Sequence, residues 1–212
     1  MDLLELKREQ LKLSSKIVLQ DSFSDIRTIG GATCLQMGEK LVASVVVCEF
    51  PSLKMKEHKT AVLTNPLPYK TGYLAYREMP ALIDAYNLLD EEPDVLLVKG
   101  PGVLHQRRIG LASHLGLALN IPTIGVQDAL TFGILEEGKV LVDGEVLGSE
   151  IRTREHSNPL YVSPGHNVSV KTALEIVAKT NVYPHKLPEP LHLAHKLGRK
   201  ITRKTVESGG QE

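Results

Sequence analysis

The chain has only two cysteines, Cys34 and Cys48, each inside a β-like run, which excludes a disulfide framework and argues against a cysteine-built metal site. Two buried free thiols are the expectation. It has no excess of charge of either sign: 25 Lys and Arg balance 25 Asp and Glu, so any contact with a phosphate backbone has to come from local clustering. Long apolar runs are missing as well. The longest, such as LVASVVV from Leu41 to Val47, fall well short of the roughly 18 residues a membrane span needs. The polar N-terminus has no signal-peptide pattern, so a cytoplasmic protein without membrane contact is expected. Internal repeats and low-complexity segments are absent too, which leaves a single domain over 1–212, with a disordered tail from about residue 205 that ends in ESGGQE.

What is present is a change of pattern part-way along. A charged amphipathic helix is expected from Leu3 to Lys16. Three strands then follow: Ile26 to Gln36 and Lys40 to Phe50 flank the short link MGE, and His58 to Leu63 supplies the third. After the loop TNPLPYKTG, apolar residues at helical spacing predict a helix over Tyr73 to Leu89. DVLLVK reads as a short buried strand, Gln106 to Leu119 as a helix and TIGVQ as another strand, an order that implies a parallel crossover. Hairpin material at Lys139 to Ile151, a strand at LYVSP, a helix over Ser169 to Lys179 and a proline-rich exit at Tyr183 to Pro190 complete the chain. The fold class expected is α/β, a ribonuclease H-like mixed sheet: three antiparallel strands, then parallel βα units, flanked by helices.

Two segments carry the chemical signal, YREMP (Tyr76 to Pro80) and VKGPGVLHQRRIGLASHLG (Val98 to Gly116). With PLPYKTGYLAYREMPAL, TIGV, SPGHNVS and KLPEPLHLAHKL they resemble the endonuclease V family, over most of the chain from about Ile29 to Lys200. The resemblance implies an enzyme that recognises deoxyinosine in DNA, or inosine in RNA, and nicks a phosphodiester to its 3′ side with Mg²⁺ or Mn²⁺. Such chemistry uses converging carboxylates to hold a pair of cations that stabilise the attacking and leaving oxygens. The family's pattern maps its glutamate to Glu78 and its histidine to His166. Its first-strand aspartate, in the segment AGVD, is assigned to Ala32, and its second aspartate, in VDGHG, to Lys99.

An alanine only removes a ligand. A lysine sets a positive charge where a cation would sit, with a repulsion of about 4 kcal/mol per unit charge at 4 Å and an effective dielectric of 20. Where the family reads TIGVAKS, this chain reads TIGVQDA, with Asp128 in the lysine's place. The expectation is an ion pair between Lys99 and Asp128, with Glu78 as a possible third member, no metal cofactor, and two-metal cleavage absent or very weak: a pseudoenzyme that binds nucleic acid. Two alternatives stay open: an active nuclease in which Glu78 and Asp128 hold Mg²⁺ or Mn²⁺, and a fold-only interaction module.

The binding apparatus is expected from Tyr69, Gly100, Gly102, His105, Arg107, Arg108 and Gly125. Tyr69 matches the tyrosine of the family's strand-separating PYIP wedge and could stack in the gap left by a displaced base, or simply cap the core. The glycines permit close backbone approach to a base or form a tight turn; Pro101 between them removes a donor. His105, Arg107 and Arg108 are expected at a helix start, where cations and free N–H groups meet phosphate. Further basic clusters lie at Arg152 and Arg154 and from Lys196 to Lys204. His185, His192 and His195 are too unevenly spaced to read as a metal cluster. DNA or RNA is the expected partner; the oligomeric state is left open.

Overall fold

A computed structural model describes residues 2–208. After helix α1 (Leu3–Ser14), capped by the Asp2 side chain on Leu4 N–H, come strands β1 (Thr28–Met37), β2 (Lys40–Glu49) and β3 (Met55–Thr64). Helix α2 (Leu74–Tyr86), strand β4 (Val95–Lys99), helix α3 (Leu111–Leu119) and strand β5 (Thr123–Gln127) follow. Three further strands form a meander, β6 (Ile134–Glu136), β7 (Lys139–Val142) and β8 (Glu145–Ile151), ahead of β9 (Leu160–His166). Helices α4 (Val170–Lys179) and α5 (Glu189–Ser208) end the described chain.

All nine strands belong to one sheet in the order β3-β2-β1-β4-β5-β9-β8-β7-β6. The first three are antiparallel, β1, β4 and β5 run parallel, and β9 returns antiparallel to β5. This is the ribonuclease H-like arrangement. β4 is so short and so apolar because both its faces are covered, as parallel strands generally are. Val95 and Leu97 enter a core with Ile176 and Val177 of α4 and Leu191 and Ala194 of α5. Leu96 and Val98 enter the opposite core with Leu82 of α2 and Leu115 of α3.

Two glycines set the close approaches. A Cβ on Gly31 of β1 would lie 2.3 Å from the Pro190 carbonyl, so α5 starts directly on the strand. A Cβ on Gly125 of β5 would lie 2.2 Å from Gly102 N, so the GPG turn folds over the strand end.

Two helices differ from the sequence reading. The proline-rich exit turns into α5, a 20-residue helix whose proline, Pro190, occupies the first turn, where no intrahelical N–H is needed. Residues 205–208, expected in a disordered tail, are the end of that helix; 209–212 lie outside the described residues. Helix α3 starts at Leu111, not Gln106, because the preceding residues form a turn with Arg108 at φ 52° and its N–H on the His105 carbonyl. No helix among the described residues is long and apolar enough to cross a membrane.

Candidate nucleic-acid interface and metal position

The parallel strands β4 and β5 end side by side, with Lys99 paired to Val126 and Asp128 one residue beyond β5. Lys99 Nζ lies 3.0 Å from Asp128 Oδ2, as the sequence reading expected. The third member is not Glu78. It is Lys186, in the turn before α5, whose ammonium donates to Asp128 Oδ1 at 3.1 Å. Burial alone would raise the Asp128 pKa; hydrogen bonds and charge from Lys99 and Lys186 outweigh it and hold the carboxyl below its ordinary value. His195, on the second turn of α5, faces the same centre. Burial lowers its pKa first, the positive charges of Lys99 and Arg199 lower it further, and Asp128 opposes them.

The register moves the first-strand position by one residue. Ala32 pairs with Val98 and sits with Leu82, Leu96 and Val98 in the core under α2, on the face away from Lys99. Side chains alternate across a strand, so the β1 residue beside Lys99 on the α5 face is Thr33. Read without a gap, AGVD over Gly30-Gly31-Ala32-Thr33 gives the same answer. The assignment of Ala32 is therefore corrected to Thr33, whose hydroxyl is buried and has no partner among the described residues.

Glu78 stands apart from this centre. Its carboxyl makes no hydrogen bond or ion pair among the described residues; burial raises its pKa to about 7, opposed by Arg77. Its charge is felt by Cys34 on β1, placing it over the α2 face. His166 is at the other end of the sheet. It pairs with Thr123, where β5 begins, about 16 Å of chain away from Asp128 at 3.3 Å per residue. Its Nδ1 accepts from Val18 N–H at 3.2 Å, and burial lowers its pKa, so it is a neutral tie between the chain after α1 and β9. It is not part of the Lys99 centre, and the expected catalytic role is withdrawn.

The fit of a divalent cation follows from these donors. Hard cations require oxygen ligands. Here both oxygens of the nearest carboxylate are held by ammonium groups, the adjoining β1 side chain is a threonine, and a lysine ends β4. Among the described residues no three acidic, histidine or cysteine side chains come together as a ligand set. The residues present do not fit a pair of Mg²⁺ or Mn²⁺ ions.

The binding residues divide in two. Tyr69 is 66% exposed at the tip of the loop before α2 and lines a cavity together with Gln10, Pro101, His105, Leu111 and Gln127. Gln127 is buried, and its Nε2 has no partner among the described residues while its Oε1 accepts from Thr131. It is a polar group that sequence reasoning passed over, because its place at a strand end reads as ordinary β structure. Gly100, Gly102 and Gly125 are explained by packing: Cβ atoms there would meet Leu111, Pro164 and the GPG turn itself.

The basic cluster at 105–108 is internally committed. The Gly72 carbonyl accepts from Gln10 Nε2 at 3.1 Å and Arg107 Nη2 at 2.7 Å, and contacts His105 Nε2 at 3.1 Å. His105 Nδ1 accepts from Arg107 N–H, so Nε2 carries the proton. Burial, and then the charge of Arg107, push the His105 pKa down to about 4, so it is no cation at neutral pH. Arg107 also donates to Gln10 Oε1 and stacks on Tyr73. Arg108 pairs with Glu145 at 2.7 Å and Asp143 at 3.5 Å. None of the three sits at the start of α3, because Gly110 is its N-cap. Their expected part at a helix N-terminus is corrected: His105 and Arg107 clamp the loop carrying Tyr69, and Arg108 ties the turn before α3 to the β7–β8 hairpin.

A ribonuclease H-like sheet, an exposed tyrosine over a cavity and a polar centre at the ends of adjacent parallel strands define a nuclease-type scaffold. Endonuclease V is the family whose model matches residues 11–196, and the chain belongs to that family. It is 34% identical over 206 residues to Endonuclease V of Dictyoglomus turgidum, covering 93% of this chain and 90% of the relative. The crystal structure of the catalytic domain of human Endonuclease V superposes with a TM-score of 0.86 at 31% identity, covering 96% of this chain and 97% of that one. Endonuclease V of Ciona intestinalis, in complex with a 24mer DNA containing an inosine followed by a ribo-adenosine, superposes with a TM-score of 0.88 at 30% identity, covering 96% and 98%.

Proposed function

We propose that this chain is a nucleic-acid-binding member of the Endonuclease V family in which metal-dependent strand scission is absent or very slow. The ligand is DNA or RNA with an inosine or a distorted, unstacked base, met in the cytoplasm. The observation that carries the reading is Asp128 held between Lys99 and Lys186 at the strand ends where the family's cations are expected. An ion pair fixes the geometry of that centre without a metal, at a cost in desolvation. No observation favours the reading in which Glu78 and Asp128 hold a metal, since both Asp128 oxygens are already engaged.

Support for binding comes from the other half of the site. Tyr69 is exposed on a loop clamped at Gly72, and an aromatic so placed can stack where a base has been displaced, worth about 1–3 kcal/mol. The cavity behind it is lined by Gln127, whose buried amide nitrogen would turn outward to meet the polar edge of a flipped base. The relative from Ciona intestinalis was crystallised on inosine-containing DNA.

The test is incubation of inosine-containing and ordinary strands, single and double, with Mg²⁺ or Mn²⁺, measuring nicking and binding together. Binding of the inosine strand without nicking is expected. Nicking that depends on the metal and is abolished by Glu78→Gln would overturn the proposal in favour of a working nuclease; neither activity would leave only the fold.

A further inference from the structure

Three basic clusters occur in the sequence, and the structure separates them by what their charges already do. Those at 105–108 are taken up by Gly72, Gln10, Asp143 and Glu145. Arg152 lies 3.5 Å from Glu150, and Arg154 donates to the Pro184 carbonyl at 3.3 Å. On α5 the situation is different. Lys196, Arg199, Lys200 and Arg203 are exposed, and none makes an ion pair among the described residues.

Their spacing of i, i+3, i+4 and i+7 puts all four on one face of the helix. Leu191, Ala194 and Gly198 occupy the opposite face, where Gly198 packs against Leu35 and Ser44 of the sheet. A groove runs along the cationic side, lined by His192, His195 and the four cations, with no acidic side chain among the described residues that line it. Its inner end is tied to the strand-end centre: His195 feels the charges of both Lys99 and Arg199. That centre itself carries two ammonium groups on one carboxylate.

Resting on the nucleic-acid reading above, we propose that the outer face of α5 is the track for the phosphate backbone of the bound strand, leading to the Lys99 and Lys186 ammonium groups. The face from Lys196 to Arg203 is about 10 Å long at 1.5 Å per residue. That length matches about three phosphates at 3.4 Å of rise per strand. The four cations would displace the counterions of those phosphates. This contact is sequence-independent, so it supplies affinity and register, and discrimination of the base is left to the Tyr69 cavity.

The experiment measures fluorescence anisotropy of a labelled inosine-containing single strand between 50 and about 300 mM salt. It compares the wild-type chain with a variant carrying Lys196→Gln, Arg199→Gln, Lys200→Gln and Arg203→Gln, since glutamine keeps the helix propensity. A charge-matched control carries Lys40→Gln, Lys54→Gln, Lys139→Gln and Lys179→Gln, and circular dichroism establishes that both variants fold. If the contacts to about three phosphates are lost, the slope of log affinity against log salt becomes shallower by about 2 at roughly 0.7 per phosphate. Affinity at low salt drops at least tenfold, and the control stays within about threefold of wild type. A variant that binds with the wild-type slope overturns the α5 track while leaving the nucleic-acid reading intact, as does an equal loss in the control. A wild-type chain that binds no strand overturns both. Binding to phosphatidylserine vesicles, lost in the α5 variant and absent for the strand, would reassign the face to a membrane surface.

Discussion

Lys99 Nζ sits 3.0 Å from one oxygen of Asp128 while Lys186 holds the other at 3.1 Å, so one carboxylate bridges two ammonium groups that start from different parts of the chain. The side chains of Lys99 and Asp128 are 28% and 47% exposed, which limits the net stabilisation to about 1 kcal/mol or less for either pair. The larger effect is electrostatic. The centre carries one more positive than negative charge, which repels a divalent cation and attracts a phosphate.

Removing the carboxylate leaves the two ammonium groups facing each other. Asp128→Asn is therefore expected to lower the melting temperature at pH 7 by a few degrees. Because the folded-state pKa of Asp128 is depressed, its contribution is present above the unfolded value of about 3.9 and is lost as pH falls through the folded one. Thermal melts at pH 7 and pH 3 check this: the gap between variant and wild type is narrower in acid. A gap of equal size at both pH values would show that Asp128 does not act through its charge.

Glu78 has the opposite sign. Burial raises its pKa to about 7, above an unfolded value near 4.3, so its favourable contribution is complete below pH 4.3 and declines as pH rises through 7. Glu78→Gln keeps the shape and removes the titration. The variant is expected to melt close to wild type at pH 4.5 and a few degrees above it at pH 8. Parallel melting curves across that range would refute the assignment of an unpartnered, half-buried carboxyl.

The Tyr69 loop is clamped most closely at the Gly72 carbonyl. Gly72 O accepts from Arg107 and Gln10, two donors more than thirty positions away in sequence, and α1 adds contacts from Tyr73 and Tyr76 hydroxyls to the Leu3 and Leu6 carbonyls. Arg107→Leu removes the strongest clamp, at an expected cost of about 1–3 kcal/mol for a charge-assisted bond and the acceptor it abandons. Amide exchange measured by mass spectrometry should accelerate over 69–73 and not in β4. Unchanged protection of that loop would mean that Arg107 is free for another role.

Much of this fold is legible in the sequence because period and punctuation agree. β1 and β2 are apolar runs separated by a tight link, and DVLLVK is bounded by a proline before it and a glycine after it. The pairing of Lys99 with Asp128 is legible too, since two adjacent parallel strands must end near each other. Lys186 is not, because nothing local says that a turn 58 residues after Asp128 comes back to it. α5 was hidden behind its prolines, Pro184, Pro188 and Pro190, which read as an exit, although LHLAHKLGRK has helical spacing. His166 misled because a motif match carries no distance: its strand pairs with the wrong end of β5 for a role beside Asp128. The first-strand position is Thr33, one residue beyond Ala32, which the ungapped match of AGVD and the strand's alternation both give.

That alternation makes the last prediction sharp. Ala32→Asp would place a carboxylate among Leu82, Leu96 and Val98, all fully buried or nearly so, with no partner on that face. The cost of such a charge is several kcal/mol, and a chain that fails to fold is the expected result. Thr33→Asp puts the carboxylate beside the Lys99 ammonium on the α5 face, where it has a counter-charge, and should leave the fold intact. Combining Thr33→Asp with Lys99→Asp and Asp128→Lys returns two carboxylates and a lysine to the positions the family pattern assigns them. This variant should be stabilised by millimolar Mg²⁺ in thermal melts, whereas the wild-type chain is not, and should nick an inosine-containing strand. Mg²⁺-dependent stabilisation of the wild-type chain of the same size would show that the two lysines do not exclude the metal. If Ala32→Asp folds and Thr33→Asp does not, the register drawn between β1 and β4 is wrong.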